Sequence, residues 1–391
     1  MTRSETKKLL ALALVILAGI AAPLSNGKPV YSKDDFKIDF SGYVQEQILD
    51  APYFFGGSFL LSQARFRPVL DFKFGHGLSA ELSQTFLLSS GNAISNPAYL
   101  IAREYPQPTY FKWDYYFVDT TDLNLDWSVY RAWVAYESKK VKAVVGRQRI
   151  AYGSAMFYSP LDIFNPISPL SLEPQERVGV DGASMELELG QSSYASLAYG
   201  IGDSWDETRL AAYYKTTVKS FDLHFLAARI FEEYIVGAAF SGYVKDGGLY
   251  GELSYTIPDH GFNYIRGTIG YEYNFKNGIL IIAEYYHNDG VFSLSDLNSA
   301  EMMFSTQRGL ATIDRNFLCL SAGFDLNPLL RFNSAIIYDM DAGAFYIGPS
   351  FSYSAPYSIT VAAGTQLFGG NQRGDFGMLP PFLWGRVRWD F

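Results

Sequence analysis

Cysteine is almost missing from this chain: Cys319 is the one thiol among 391 residues. That excludes an intramolecular disulfide and any cysteine-held metal cluster, and it leaves Cys319 as a small apolar filler on a strand. Positive charge is also scarce. Lys and Arg number 31 against 40 Asp and Glu, a formal net charge of −9, so a basic nucleic-acid-binding face has no support. No zinc-ligand spacing, Gly-rich phosphate loop or dinucleotide fingerprint stands in strand–helix context, and neither a metal nor a cofactor is expected. Long apolar runs are lacking as well. Beyond the N-terminal segment the best is 278–283 (GILIIA), far short of the roughly 20 residues a membrane helix needs. Helical crossing of a membrane is thereby excluded, and a closed barrel is the one way left to span a bilayer, because lipid offers no partner to an open sheet edge.

What the chain has in quantity is aromatic side chains, 30 Phe, 29 Tyr and 6 Trp, alongside 35 Gly and only 18% charged residues. Barrels that span membranes need a girdle of rings at each interface. The first 27 residues read as a secretory signal: Arg3, Lys7 and Lys8 form the positive start, 9–20 (LLALALVILAGI) the apolar centre, and Ser25 and Gly27 the small residues before a cut at Lys28. No cysteine lies near the cut, so a lipid-anchored form is not expected. Residues 28–35 are then a short periplasmic segment and 36–391 the barrel.

From Phe36 onward the dominant period is two. Leu383, Val387, Trp389 and Phe391 share one face of the last strand, and Arg386, Arg388 and Asp390 the other. In 63–74, Phe66, Leu70, Phe72 and Phe74 oppose Gln63, Arg65, Arg67, Asp71 and Lys73; Leu253, Tyr255 and Ile257 oppose Glu252, Ser254 and Thr256; Ile265 and Ile269 oppose Arg266 and Thr268. Alternation alone fits a soluble sandwich or a lipid-facing barrel. The signal, the aromatic load and the chain's ending on Phe391 after alternating apolar residues favour the barrel. That ending resembles the C-terminal signature of bacterial outer-membrane barrels, which implies recognition of Trp389 and Phe391 by the barrel-insertion machinery.

Turn chemistry sets the strand number. Tight turns are read at 75–77, 138–140, 190–192, 219–220, 245–247, 276–278, 327–328 and 354–356. Nine other connections alternate with them, the long ones at about 90–124, 151–179, 287–312 and 368–380. The expected fold is therefore all-β: a transmembrane antiparallel barrel of 18 strands, with 16 as the alternative count. Short turns face the periplasm and long loops face outward. The least marked loops are 202–208 and 232–234. A barrel this wide holds water or inserted chain.

Candidate site residues follow from the inward faces. Arg65, Arg67, Arg147, Arg149, Arg266, Arg386 and Arg388 point to the lumen, with Asp71, Glu81, Glu186, Glu188, Glu252, Glu272, Glu284 and Asp390 as facing acids. Closure brings the chain ends together, so Arg65, Arg67, Arg386 and Arg388 are expected on one wall. Two readings stand: these charges pair to keep a polar lumen solvated, or they form an arginine wall that selects acidic solutes. The 151–179 segment carries four prolines and many apolar groups, among them Met156, Phe157, Leu161, Ile163 and Phe164. A solvated loop would be polar; this one is expected to pack, inserted as a constriction in preference to clamped over the mouth. Its constriction residues are Asp162, Asn165, Glu173 and Glu176. Of the four histidines, only Asp259–His260 and His287–Asp289 echo a rim catalytic pair, and no enzyme is expected.

The stretch 146–181 resembles a motif of a poorly characterised group of Gram-negative porin-like proteins. It has Gly146–Arg147–Gln148, the pair Tyr152–Gly153 (many of the group carry Trp first), SPLDIFNP at 159–166 and ERVGVD at 176–181. In size the chain is also similar to 18-stranded substrate-specific channels and alginate-export barrels. The resemblance implies a porin-type outer-membrane channel for small hydrophilic solutes, either acidic ones or saccharides, through a lumen narrowed by 151–179. Alternatives are a barrel that sheathes an export or redox partner, and a rim-located hydrolase. The expected partners are outer-membrane lipid and a small solute. Porins of comparable size are often trimers, which puts a homotrimer among the expected assemblies.

Overall fold

In a computed structural model of the chain, polar side chains are hidden and large apolar ones are bare. On the strand Gly247–Pro258, Leu253 is 56% and Ile257 43% exposed, whereas Glu252 is 4% and Thr256 0%. A water-soluble sheet would show the reverse. The exposed stripe is a lipid-facing surface, and the hidden polar stripe faces the inside of a closed wall. The structure describes residues 30–54, 57–104, 109–166, 168–291 and 312–391. The signal segment 1–27 lies outside them.

One antiparallel sheet contains β1 Tyr31–Lys33, β2 Phe36–Phe54, β3 Gly57–Gly75, β4 Leu78–Ser90, β5 Asp114–Asp119, β6 Leu123–Glu137, β7 Val141–Gln148, β8 Val180–Gly190, β9 Ser193–Gly200 and β10 Arg209–Val218. It continues with β11 Phe221–Ile230, β12 Glu233–Val244, β13 Gly247–Pro258, β14 Tyr264–Asn274, β15 Leu280–Asn288, β16 Asn316–Asn327, β17 Leu330–Asp339, β18 Phe345–Ala355, β19 Ile359–Gly369 and β20 Phe382–Asp390. β1 folds back on the start of β2, and β5 is an insertion. The other eighteen strands form the barrel, closed by β20 on β2. All eight tight turns fall between consecutive barrel strands as expected. The sparsely marked connections 202–208 and 232–234 separate β9 from β10 and β11 from β12, which fixes eighteen over sixteen.

The wall is uneven in height. β2 and β3 have 19 residues each, whereas β7 has 8. β7 pairs only the lower part of β6, from Ala132 to Glu137, and β5 pairs the upper part, from Asn124 to Ser128. The 90–124 segment is thus more than a loop: it carries the helix α1 (Pro97–Glu104) and then β5, which supplies the hydrogen bonds that β7 is too short to make. Among the described residues no helix is long and apolar enough to cross a membrane.

Closure depends on close approach at one residue. The Gly42 and Phe391 amides each donate to the other's carbonyl, both at 3.0 Å. The Phe391 ring lies 5.7 Å from Phe40 and 6.2 Å from Phe66. A Cβ at Gly42 would stand 2.3 Å from the Arg67 carbonyl oxygen and 2.9 Å from the Phe391 ring. Gly42→Ala is therefore expected to cost about 1–3 kcal/mol through overpacking and to lower the yield of heat-modifiable, folded barrel on a denaturing gel. Gly385→Ala, on the same seam with nothing within 4 Å of its added carbon, should fold as the parent does.

Candidate constriction inside the barrel

The chain leaves β7 at Gln148 and rejoins the wall at Val180, and between them it crosses the interior. Ile150, Leu161 and Phe164 pack against Val180, Ala211, Leu226 and Ile230. Phe157 and Tyr158 pack against Tyr286, Phe317, Ile337 and Phe376, with the buried Cys319 among them as a small filler. Of the two dispositions open to 151–179, the inserted one is found.

An irregular segment brings unpaired amides, and two acids on the wall receive them. Glu252 on β13 accepts from the amides of Ser154, Ala155 (2.7 Å) and Leu161 (3.2 Å) and from the Ser159 hydroxyl (2.8 Å). Glu284 on β15 accepts from the amides of Met156 (2.9 Å), Phe157 (3.3 Å) and Tyr158 (2.9 Å) and from the Tyr250 hydroxyl (3.0 Å). Glu284 is only 1% exposed. A buried carboxylate needs such donors, and an amide-rich bend needs such an acceptor, so each removes the other's desolvation cost. The Thr268 hydroxyl donates to the Tyr158 carbonyl at 2.6 Å, and the Tyr158 and Tyr286 rings stack at 4.5 Å. Gly153 is required by shape: a Cβ there would meet the Ser159 hydroxyl at 2.2 Å and Glu252 Oε1 at 2.7 Å, at a φ of +91°. Tyr152 before it stacks on Tyr213 at 4.5 Å.

The motif residues lock the segment to itself and to its roots. Arg177 donates to Asp162 (2.5 Å) and to the Asn165 carbonyl (2.8 Å). The Asn165 amide group donates to the Val178 carbonyl, while its oxygen accepts from the Ile150 amide at 3.0 Å. Arg147 forms a two-pronged pair with Asp181 at 2.8 and 2.9 Å and donates to the carbonyls of Val129 and Phe111. Both members are buried, so Arg147 holds β6, β7, β8 and the chain before β5 together and does not face open lumen.

The opposite wall carries the arginines. Gln45 on β2 is flanked in register by Arg65 of β3 and Arg388 of β20, and Gln47 stands beside Arg386. Arg65, Arg67, Arg386 and Arg388 thus share one wall. Two acids of the inserted segment enter it. Glu173 meets Arg65 at 3.0 Å, Arg386 at 3.3 Å and the Gln45 side-chain amide at 2.8 Å. Glu176 meets Arg67, Arg388 at 3.6 Å and the Tyr43 hydroxyl at 3.0 Å. Burial opposes ionisation of Glu176, but Arg67 and its neighbours outweigh that and hold the carboxyl below its ordinary range. Asp390 joins through Arg388 at 2.7 Å.

Beside the segment a cavity of about 400 Å³ remains, lined by Met156, Leu172, Ser334, Gln366, Trp384 and Arg386 among others. The remaining sequence candidates lie outside these hydrogen-bonded contacts, although Arg149 is near enough to Asp162 and Arg177 to interact with their charges. Arg149 and Glu188 are exposed, Glu186 and Glu272 half-buried, and Asp71 faces Glu81 across β3 and β4. Arg266 is buried and donates to Asn288 at 3.1 Å. Trp389 and Phe391 lie ring to ring, 5.4 Å apart, at the seam. Tyr43 and Gln45 were not singled out from the sequence, Arg177 and Asp181 entered only as members of the 176–181 run, and Glu284 was placed only among the facing acids. Alternation along β2 marks Tyr43 and Gln45 as inward-facing. Neither the Glu284 contact nor the Arg177–Asp162 pair has a local signal.

Glu284→Gln leaves one acceptor oxygen where four donors converge. Each charge-assisted bond lost is expected to weaken docking by about 1.5–3 kcal/mol, roughly a ten- to hundredfold rise in the undocked population. Limited proteolysis should then cut within 154–161 in the variant while the barrel stays heat-modifiable.

No family model and no curated protein matches the sequence. Solved structures match over nearly its whole length. Acinetobacter baumannii OccAB4 is 10% identical with a TM-score of 0.59, covering 92% of this chain and 99% of that one. Acinetobacter baumannii OccAB3 is 11% identical at 0.54, covering 90% and 99%. Pseudomonas aeruginosa OccK8 (OprE) is 10% identical at 0.54, covering 91% and 98%. At such identities the likeness is one of fold: a closed 18-stranded antiparallel barrel resembling outer-membrane porins.

Proposed function

We propose that the chain is a porin-type channel of the outer membrane. Small hydrophilic solutes, acidic ones by preference, pass through a lumen narrowed by residues 151–179. The observation that carries this reading is the inserted segment pinned across a polar interior, with a cavity left between it and an arginine-bearing wall. Four arginines there meet three carboxylates, Glu173, Glu176 and Asp390, so positive charge is in excess next to the passage. Arg386 lines the cavity itself. A fixed field of that sign favours anions, and guanidinium forks suit carboxylates. Export through residues 1–27, a periplasmic side for 28–35 and insertion through the Trp389–Phe391 ending belong to the same reading, as does membership of the porin-like group that the 146–181 motif resembles.

Two other readings have less behind them. A sheath for a partner would need an open bore, and the inserted segment crosses the interior from β13 and β15 to β3 and β20. A rim hydrolase would need a histidine free to act as base. His287 does approach Asp289 at 3.2 Å, but its other ring nitrogen is held by Asn316 at 2.9 Å.

Single-channel recording of the purified protein in planar bilayers tests the proposal. Discrete conductance steps with anion preference in a salt gradient are expected, and a membrane that stays sealed would overturn the channel. Arg386→Gln with Arg388→Gln should lower the anion-to-cation permeability ratio several-fold. Glu173→Gln with Glu176→Gln should raise it. Unchanged selectivity in both variants would remove the arginine wall from the account while leaving the pore.

A further inference from the structure

Three aspartates from distant parts of the chain meet at the long-loop rim: Asp314 just before β16, Asp339 at the end of β17 and Asp375 in the connection from β19 to β20. One carboxylate oxygen from each lies within 4.8 Å of the others. Two of the three carboxylates already anchor backbone. Asp339 Oδ1 accepts from the amides of Asp341 (3.0 Å) and Ala342 (3.1 Å), and Asp375 accepts from those of Ile313 (3.0 Å) and Asp314 (3.0 Å). The remaining oxygens are the informative ones. Asp339 is wholly buried, yet its Oδ2 has no hydrogen-bond partner, and neither has the buried Oδ2 of Asp314. Among the described residues no lysine or arginine pairs with any of the three.

Buried acceptor oxygens without donors are costly, and three carboxylates turned on one another add repulsion to that cost. A cation removes both penalties at once. Hard oxygen ligands around calcium lie at about 2.3–2.6 Å from the ion, so oxygens on opposite sides of one ion stand about 4.6–5.2 Å apart. The aspartate oxygens sit within that span, and among the described residues no imidazole or thiolate joins them to favour a softer metal. We propose that Asp314, Asp339 and Asp375 form a divalent-cation site, calcium by its ligand chemistry, that ties the start of β16, the end of β17 and the β19–β20 connection together at the outer mouth. The site is separate from the arginine wall and does not depend on the chain's being a channel.

The test uses full-length protein refolded into detergent free of lipopolysaccharide, so that lipid phosphates contribute no sites of their own, and stripped with a chelator. Calorimetric titration with calcium chloride is expected to show one saturable site per chain. Bound calcium should raise the unfolding temperature, as any ligand selective for the folded state does. Asp339→Asn keeps an acceptor for the Asp341 and Ala342 amides but removes the charge, and it should weaken binding at least tenfold. Asp375→Asn serves the same purpose should the first variant fail to become heat-modifiable. No saturable binding up to millimolar calcium, or equal binding by the parent and a folded variant, would overturn the proposal.

Discussion

Hydrocarbon accepts no unpaired peptide group, and the architecture follows from that restriction. Every barrel strand must find two partners, so the sheet has to close, and it closes where Gly42 lets the final residue lie against the β2 backbone. Closure then sorts the side chains. With the period fixed at two, each strand sends one row to lipid and the next row inward, and the polar row has nowhere to go but the interior. Glu252, Glu284 and the arginines of β3 and β20 are inside for this reason before any contact with the inserted segment is considered.

The interior is therefore charged before it is filled, and the filling answers that charge. The 151–179 segment has too many prolines to be a strand and too many apolar groups to be solvated. It brings unpaired amides to the acids on β13 and β15, and carboxylates to the arginines on β3 and β20. Its apolar side chains meet small and aromatic residues between these two sets of polar contacts. The wall and the insert each hold groups that would be costly alone, and each supplies the partners that the other's buried charges need.

Much of this was legible in the sequence. Alternation of Leu253, Tyr255 and Ile257 with Glu252, Ser254 and Thr256 gives facing directly, and glycine and proline chemistry at the turns gives strand number. Neighbourhood across the seam placed Arg65, Arg67, Arg386 and Arg388 together, because a closed sheet must join its ends. Other features were hidden for a physical reason. Alternation gives facing but not environment: Arg147 and Arg266 do face inward, yet both are enclosed by neighbours, and Glu252 receives amides where an open acid was expected. Those outcomes depend on chain that returns from far away. β5 escaped notice because its role, patching the upper edge of a short β7, is set by a mismatch in strand height. The aspartates at the rim come from three segments whose meeting no local pattern records.

The distance along the chain between the inserted segment and its holders has a kinetic consequence. Glu284 lies 128 residues beyond Met156, and Arg386 lies 214 beyond Leu172. The contacts to Glu284 and Arg386 cannot form until β15 and β20 have been synthesised and zipped into the wall. The insert can start to dock on β8 to β13 as those strands pair, but its last anchors, on β15 and β20, must come late in assembly, so the constriction reaches its final form only when the barrel closes.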